Sequence, residues 1–149
     1  MFIELGAGVI PMSSIDSRIK STDVVPSDHL DGVLDATNLE VADNCVSGFF
    51  LQNTFHHIPD PKAFFEETSR ALIPGGKIVI LDPYYNTISK WLYKRLFKTE
   101  DFDMNGNWNS DSAHAMIGAN QALSYIVFRR DHEVFSETFR DLSIVDYFP

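Results

Sequence analysis

Glu4-Leu5-Gly6-Ala7-Gly8 puts two glycines directly behind a short apolar run. Glycine permits a tight turn and lets backbone come close to a ligand, so the pair suits a strand-ending loop beneath a bound small molecule. A dinucleotide fingerprint needs a third glycine; Val9 and Ile10 follow instead, so a pyrophosphate on a helix N-terminus is not supported. Asp23 closes the next apolar run, where a ribose-binding carboxylate belongs in a nucleotide site at the carboxyl edge of a parallel sheet. Asp35, followed by Ala36, closes the third and offers an acceptor to an adenine amino group. Either carboxylate alone reads as a cap or surface residue, but their recurrence at successive strand ends favours a ligand site.

A second set of chemically useful residues follows. Asn53-Thr54-Phe55-His56-His57 closes a fourth apolar run, and Asp82-Pro83-Tyr84-Tyr85 closes a fifth. Histidine titrates near neutral pH and serves as a general base for a hydroxyl; His57 is the candidate, with His56 read as packing, and Asp82 is the alternative base. Tyr84 and Tyr85 offer phenols to an acceptor, and an aromatic face attracts a cationic centre. Adjacent histidines lack the spacing of a zinc pair, so no metal site is expected.

These residues need strands to carry them. Phe2 to Leu5, Ile19 to Val25, Gly32 to Leu34, Val46 to Gln52 and Lys77 to Leu81 are the candidates, apolar on consecutive residues as in strands covered on both faces of a parallel sheet. Asp60 as N-cap and Pro61 at the first helical position open a helix whose Phe64, Thr68, Ala71 and Leu72 share one face, with Glu66, Glu67 and Arg70 toward water. Pro74-Gly75-Gly76 ends it. The spacing predicts an amphipathic helix over Thr87 to Lys98, a polar loop over Glu100 to Ser112, and a last helix capped by Asp131 with Phe135, Phe139 and Leu142 on one face. A sixth strand is expected over Ser143 to Phe148. The fold class is α/β, with one domain over residues 1–149 and an acceptor-side lid insertion at about 84–128.

The 149 residues carry 12 Lys and Arg against 21 Asp and Glu, a net charge of -9, which repels a phosphate backbone and excludes nucleic acid as a natural partner. The single cysteine, Cys45, makes neither an internal disulfide nor a thiolate zinc site. No run is apolar for the length of a membrane span, and no signal peptide opens the chain, so a cytoplasmic protein without integral membrane association is expected.

In five blocks, taken in order, the chain resembles class I S-adenosylmethionine-dependent methyltransferases: Phe2-Ile3-Glu4-Leu5-Gly6-Ala7-Gly8, Ser21-Thr22-Asp23, Leu34-Asp35-Ala36-Thr37-Asn38-Leu39, Asn53-Thr54-Phe55-His56-His57-Ile58 and Leu72-Ile73-Pro74-Gly75-Gly76. The likeness is to the methyltransferase-11-like type. Ile117 to Leu123, followed by Ile126-Val127-Phe128, is similar to a subgroup among bacterial sugar and polysaccharide enzymes. The resemblance implies a Rossmann-like, mostly parallel sheet with helices on both faces. It implies S-adenosyl-L-methionine as cofactor, held by Glu4, Gly6, Ala7, Gly8, Asp23, Asp35, Ala36 and Asn53. The short Val9 to Arg18 segment, containing Pro11, departs from the full helix the family carries there, and the core reads as trimmed at both ends.

The expected activity is methyl transfer to a small-molecule acceptor, a sugar or polysaccharide precursor being the best guess. His57 and Asp82 are the catalytic candidates, and Tyr84 and Tyr85 the substrate-binding ones. A homo-oligomer covering the exposed sheet is expected with it. Two other readings stand beside this one: a binding or scaffolding protein that keeps the fold without turnover, and a nicotinamide-dependent oxidoreductase, which the missing third glycine disfavours.

Overall fold

A computed structural model describes residues 1–83, 102–109 and 119–148. Two compact units are present: Met1–Thr54 with Ala63–Leu81, and Phe55–Lys62 with Asp82–Pro149.

The first unit is built on five strands, β1 (Phe2–Leu5), β2 (Ile19–Asp23), β3 (Gly32–Val33), β4 (Val46–Gln52) and β5 (Leu72–Leu81). They lie in the order β3-β2-β1-β4-β5, and every pairing is parallel. This is the doubly wound order on one side of β1, which leaves the ends of β1, β2 and β3 at a common carboxyl edge. Ile3, Leu5, Val46, Phe49 and Leu51 are buried, as expected of central strands covered on both faces.

β1 and β4 have the bounds expected from the sequence, whereas β2 and β3 each stop earlier. β5 starts at Leu72 rather than Lys77: Leu72 pairs with Val46 and Lys77 with Gly48, so the intervening residues bulge out of register. Pro74-Gly75-Gly76, read as a helix-to-strand turn, is that bulge, and Gly75 supplies its positive φ of 81°.

Helix α1 (Pro61–Ala71) begins as expected, with Asp60 Oδ1 accepting the Lys62 N–H at 3.1 Å. Phe64, Thr68 and Ala71 are fully buried on one face. Glu67 and Arg70 do not simply face water. Glu67 Oε2 accepts the Leu39 N–H at 2.8 Å, while Arg70 donates to the Leu39 and Val41 carbonyls at 3.0 and 2.9 Å and to Asp43 and Glu67. Backbone groups between β3 and β4 are thereby satisfied by helix side chains, a need that sequence periodicity does not register.

In the second unit, α2 (Leu123–Tyr125) runs into a π-helical stretch, Ile126–Arg130, and then α3 (His132–Thr138). Asp131 stands before α3 as expected but makes no cap hydrogen bond; its carboxylate takes the Trp108 indole N–H at 2.8 Å and the Arg130 guanidinium. Phe139 lies just past α3 with non-helical torsions, φ −112° and ψ 70°, so Leu142 is not part of that helix. Ser143 to Phe148 forms no strand, and Val145 and Phe148 are exposed instead of buried in a sheet. The Thr87 to Lys98 helix and much of the expected lid lie outside the described residues.

Candidate functional site

In the first unit, the glycine turn leaves β1 with Gly6 at φ +72° and Gly8 at φ +57°, torsions that side-chain-bearing residues rarely adopt. Thr54 Oγ1 donates to the Gly6 carbonyl at 3.0 Å, and the Ala7 N–H donates to the Thr22 carbonyl at 3.0 Å. The turn is thus tied to the ends of both strands that flank β1. Nothing lies within 4 Å of where a Gly8 side chain would begin, so the backbone is open to a ligand there.

Asp23 sits beside this turn. Its Oδ2 accepts the Gly8 N–H at 3.0 Å and its Oδ1 accepts the Val25 N–H at 3.0 Å. A carboxylate has about four lone-pair positions, so both oxygens keep acceptor capacity for ligand hydroxyls. Asp35 is exposed at the end of the third strand region, where Oδ1 alone takes both the Thr37 N–H at 2.8 Å and the Thr37 hydroxyl at 2.7 Å. Asn53, just after β4, has φ +52° and donates its N–H to the Leu81 carbonyl at 2.7 Å. Asparagine is among the few side-chain-bearing residues that tolerate this region.

Glu4 is placed differently from the other acids. It is 3% exposed, and its Oε2 accepts the Met12 N–H at 2.7 Å and the Ser21 hydroxyl. Ser21 Oγ in turn accepts the Ser13 N–H at 2.9 Å. The first amides of the 3-10 turn Met12–Ser14, which stands where a longer helix would be expected, are therefore capped from the strands below.

His29 was not singled out by the sequence, because a lone histidine in a polar loop has no periodic pattern. Its Nε2 lies 2.8 Å from the Gly8 carbonyl and its Nδ1 2.7 Å from Ser27 Oγ. Its loop is anchored by the Asp31 N–H to the Ser21 carbonyl at 2.9 Å and by Asp31 Oδ2 accepting the Ser21 N–H at 2.8 Å.

In the second unit, Asp82 is enclosed, with its side chain 3% exposed. It accepts the His56 N–H at 3.1 Å, His56 Nδ1 at 3.0 Å and the Ser124 hydroxyl at 2.9 Å. The carboxylate accepts, so His56 Nδ1 carries the hydrogen and the tautomer is set. His57 is half-buried, with its ring centroid 4.2 Å from that of His56. The histidine joined to Asp82 is thus His56, where the sequence had favoured His57 for chemistry. Tyr84 and Tyr85 lie outside the described residues, and no cluster of metal-ligating side chains occurs among the described ones.

Residues 18–80 match a family described as a methyltransferase domain, a span running from just before β2 through nearly all of β5. Among solved structures, a candidate methyltransferase from Bacillus halodurans C-125 is 16% identical, covers 91% of this chain and 56% of its own, and has a TM-score of 0.53. A chain from the complex of the Haloferax volcanii Trm112 methyltransferase activator with a candidate methyltransferase is 19% identical over 94% of this chain and 58% of that one, with a TM-score of 0.52. A SAM-dependent methyltransferase from Methanosarcina mazei is 17% identical over 63% and 57%, with a TM-score of 0.50. The chain spans little more than half the length of each of these proteins. No curated protein matches it in sequence. The fold is the Rossmann-like one of these methyltransferases, with a five-stranded parallel sheet in the first unit.

Proposed function

We propose that the chain binds S-adenosyl-L-methionine at the carboxyl edge of β1, β2 and β3 and transfers its methyl group to a small-molecule acceptor. The observation that carries this reading is the grip of Asp23 on the Gly8 N–H, which joins an open positive-φ turn to a carboxylate suited to a ribose. The residues present fit the cofactor: open backbone at Gly8, acceptor oxygens on Asp23 for hydroxyls, and Asp35 for an amino group. The match of residues 18–80 to a methyltransferase domain supports it independently.

Bound there, the cofactor supplies an electrophilic methyl group on a sulfonium. The chain's contribution is mainly to hold donor and acceptor in line, which accounts for much of the rate in such displacements. Gly6, Ala7 and Gly8 give the turn its close approach, with Ala36 and Asn53 as further cofactor contacts; Glu4, behind that turn, holds the neighbouring Met12–Ser14 turn and Ser21 in place. For a hydroxyl acceptor, His57 or Asp82 is the base that takes the proton, and Tyr84 and Tyr85 bind the acceptor. A net charge of -9 favours a neutral or cationic small molecule over nucleic acid, and a sugar or polysaccharide precursor is the class we propose.

Thermal unfolding with S-adenosylhomocysteine and with NAD tests the reading. Stabilisation by the first alone is expected; stabilisation by NAD alone would make the protein an oxidoreductase, and by neither a scaffold. Turnover across a panel of sugars then separates an enzyme from a binder without turnover.

A further inference from the structure

Gly8 is held by very little. It has no side chain, nothing surrounds its Cβ position within 4 Å, and its φ of +57° is one a glycine leaves readily. Two polar contacts fix it from opposite sides: Asp23 Oδ2 takes its N–H at 3.0 Å, and His29 Nε2 reaches its carbonyl at 2.8 Å. The two peptide groups flanking the Gly8 Cα are thereby both restrained, one by each residue.

A carbonyl only accepts, so His29 Nε2 carries the hydrogen, and Nδ1 on the other side of the ring is hydrogen-bonded to the Ser27 hydroxyl at 2.7 Å. The support behind the imidazole is firm. The Leu30 N–H returns to the Ser27 carbonyl at 3.1 Å, and Asp31 bonds both backbone groups of Ser21. His29 is exposed and packs into no core, so its contact with Gly8 has no evident role in holding the sheet together.

We propose that His29, steadied by Ser27, is a positioning residue that presets the glycine turn for the cofactor through the Gly8 carbonyl. This rests on the cofactor reading above. A turn already in its bound geometry loses less freedom on binding, so the clamp shows up as affinity.

The test compares wild type, His29→Ala and His29→Gln by amide hydrogen exchange in the free protein and by calorimetric titration with S-adenosylhomocysteine. Releasing the Gly8 carbonyl loosens the turn that keeps the Gly8 N–H on Asp23, which at the scale of one hydrogen bond predicts roughly three- to tenfold faster exchange at Gly8 and weaker binding in His29→Ala. His29→Gln, whose side-chain amide sets a donor near the Nε2 position, restores most of both. Unchanged Gly8 exchange in His29→Ala, or unchanged affinity in a wild type that binds, overturns the proposal. Faster exchange in His29→Ala with glutamine rescue, in a protein whose wild type does not bind S-adenosylhomocysteine, upholds the clamp and overturns the cofactor reading instead.

Discussion

Thr54 and Gly6 fit one another so closely that neither tolerates a larger neighbour: a Cβ on Gly6 would lie 2.2 Å from Thr54 Cγ2, while Thr54 Oγ1 donates to the Gly6 carbonyl at 3.0 Å. Gly8 shares the positive φ but not the crowding.

The two glycines should therefore respond unequally to alanine. Gly6→Ala combines a left-handed backbone with a clash and should cost about 2–4 kcal/mol. Gly8→Ala carries the backbone penalty alone, about 1 kcal/mol. Urea denaturation of both variants measures the difference, and equal losses would contradict the packing described at Thr54.

Asp23 has two jobs that substitution can separate. Asp23→Ala should remove both the Gly8 contact and the ribose acceptor, abolishing thermal stabilisation by S-adenosylhomocysteine. Asp23→Asn keeps an acceptor for the Gly8 N–H, yet should still bind roughly ten- to a hundredfold more weakly, because the charged acceptor is gone. Unchanged binding in both variants would remove the ribose assignment.

The Glu67–Arg70 pair predicts an acid-sensitive component of stability. The Arg70 hydrogen bonds hold the Glu67 carboxyl below its ordinary value, assisted by the Leu39 N–H. A lowered folded-state value contributes stability that is fully present above the ordinary glutamate range and is lost as pH falls through the lowered one. Glu67→Gln should thus lower the urea midpoint at neutral pH and converge on wild type as pH falls below the ordinary glutamate range and through the lowered Glu67 value. A difference independent of pH would rule this linkage out.

Asp82 accepts from two buried side chains, the His56 ring and the Ser124 hydroxyl, as well as from the His56 N–H. Asp82→Ala should destabilise by about 1–3 kcal/mol, and Asp82→Asn, which keeps one acceptor oxygen, by less. Ser124→Ala should cost about 1 kcal/mol. Circular-dichroism melts of the three variants give the order, and an intact Tm in Asp82→Ala would mean these donors find other partners.

Much of this was readable from the chain because β1 and β4 are continuous apolar runs bounded by polar residues, and because Asp60-Pro61 marks a helix start by local rules alone. What escaped depends on partners distant in sequence. Leu72 joins β5 only because Val46 waits across the ladder. Glu67 and Arg70, charged residues on a helix, look solvated until the Leu39 and Val41 backbone comes to meet them. His56 and His57 are indistinguishable as a dipeptide; in the 3-10 turn Phe55–His57 it is His56 that meets Asp82. Ser143 to Phe148 has the composition of a strand, but composition supplies no neighbouring edge.

The reciprocal bonds between Asp31 and Ser21 close the passage from β2 to β3 using only residues 24–31, where parallel neighbours are generally joined by about a dozen residues or more. That passage is a natural splice point. With Gly32 already registered against Thr22, extra chain inserted after Val25 would lengthen a loop whose ends are pinned, at roughly 0.6 kcal/mol per doubling of length. Val24 and Val25 are exposed along it and Val33 just past it, apolar surface that this short passage leaves uncovered. The β2-to-β3 passage is thus a place where this sheet accepts added chain without any change of register.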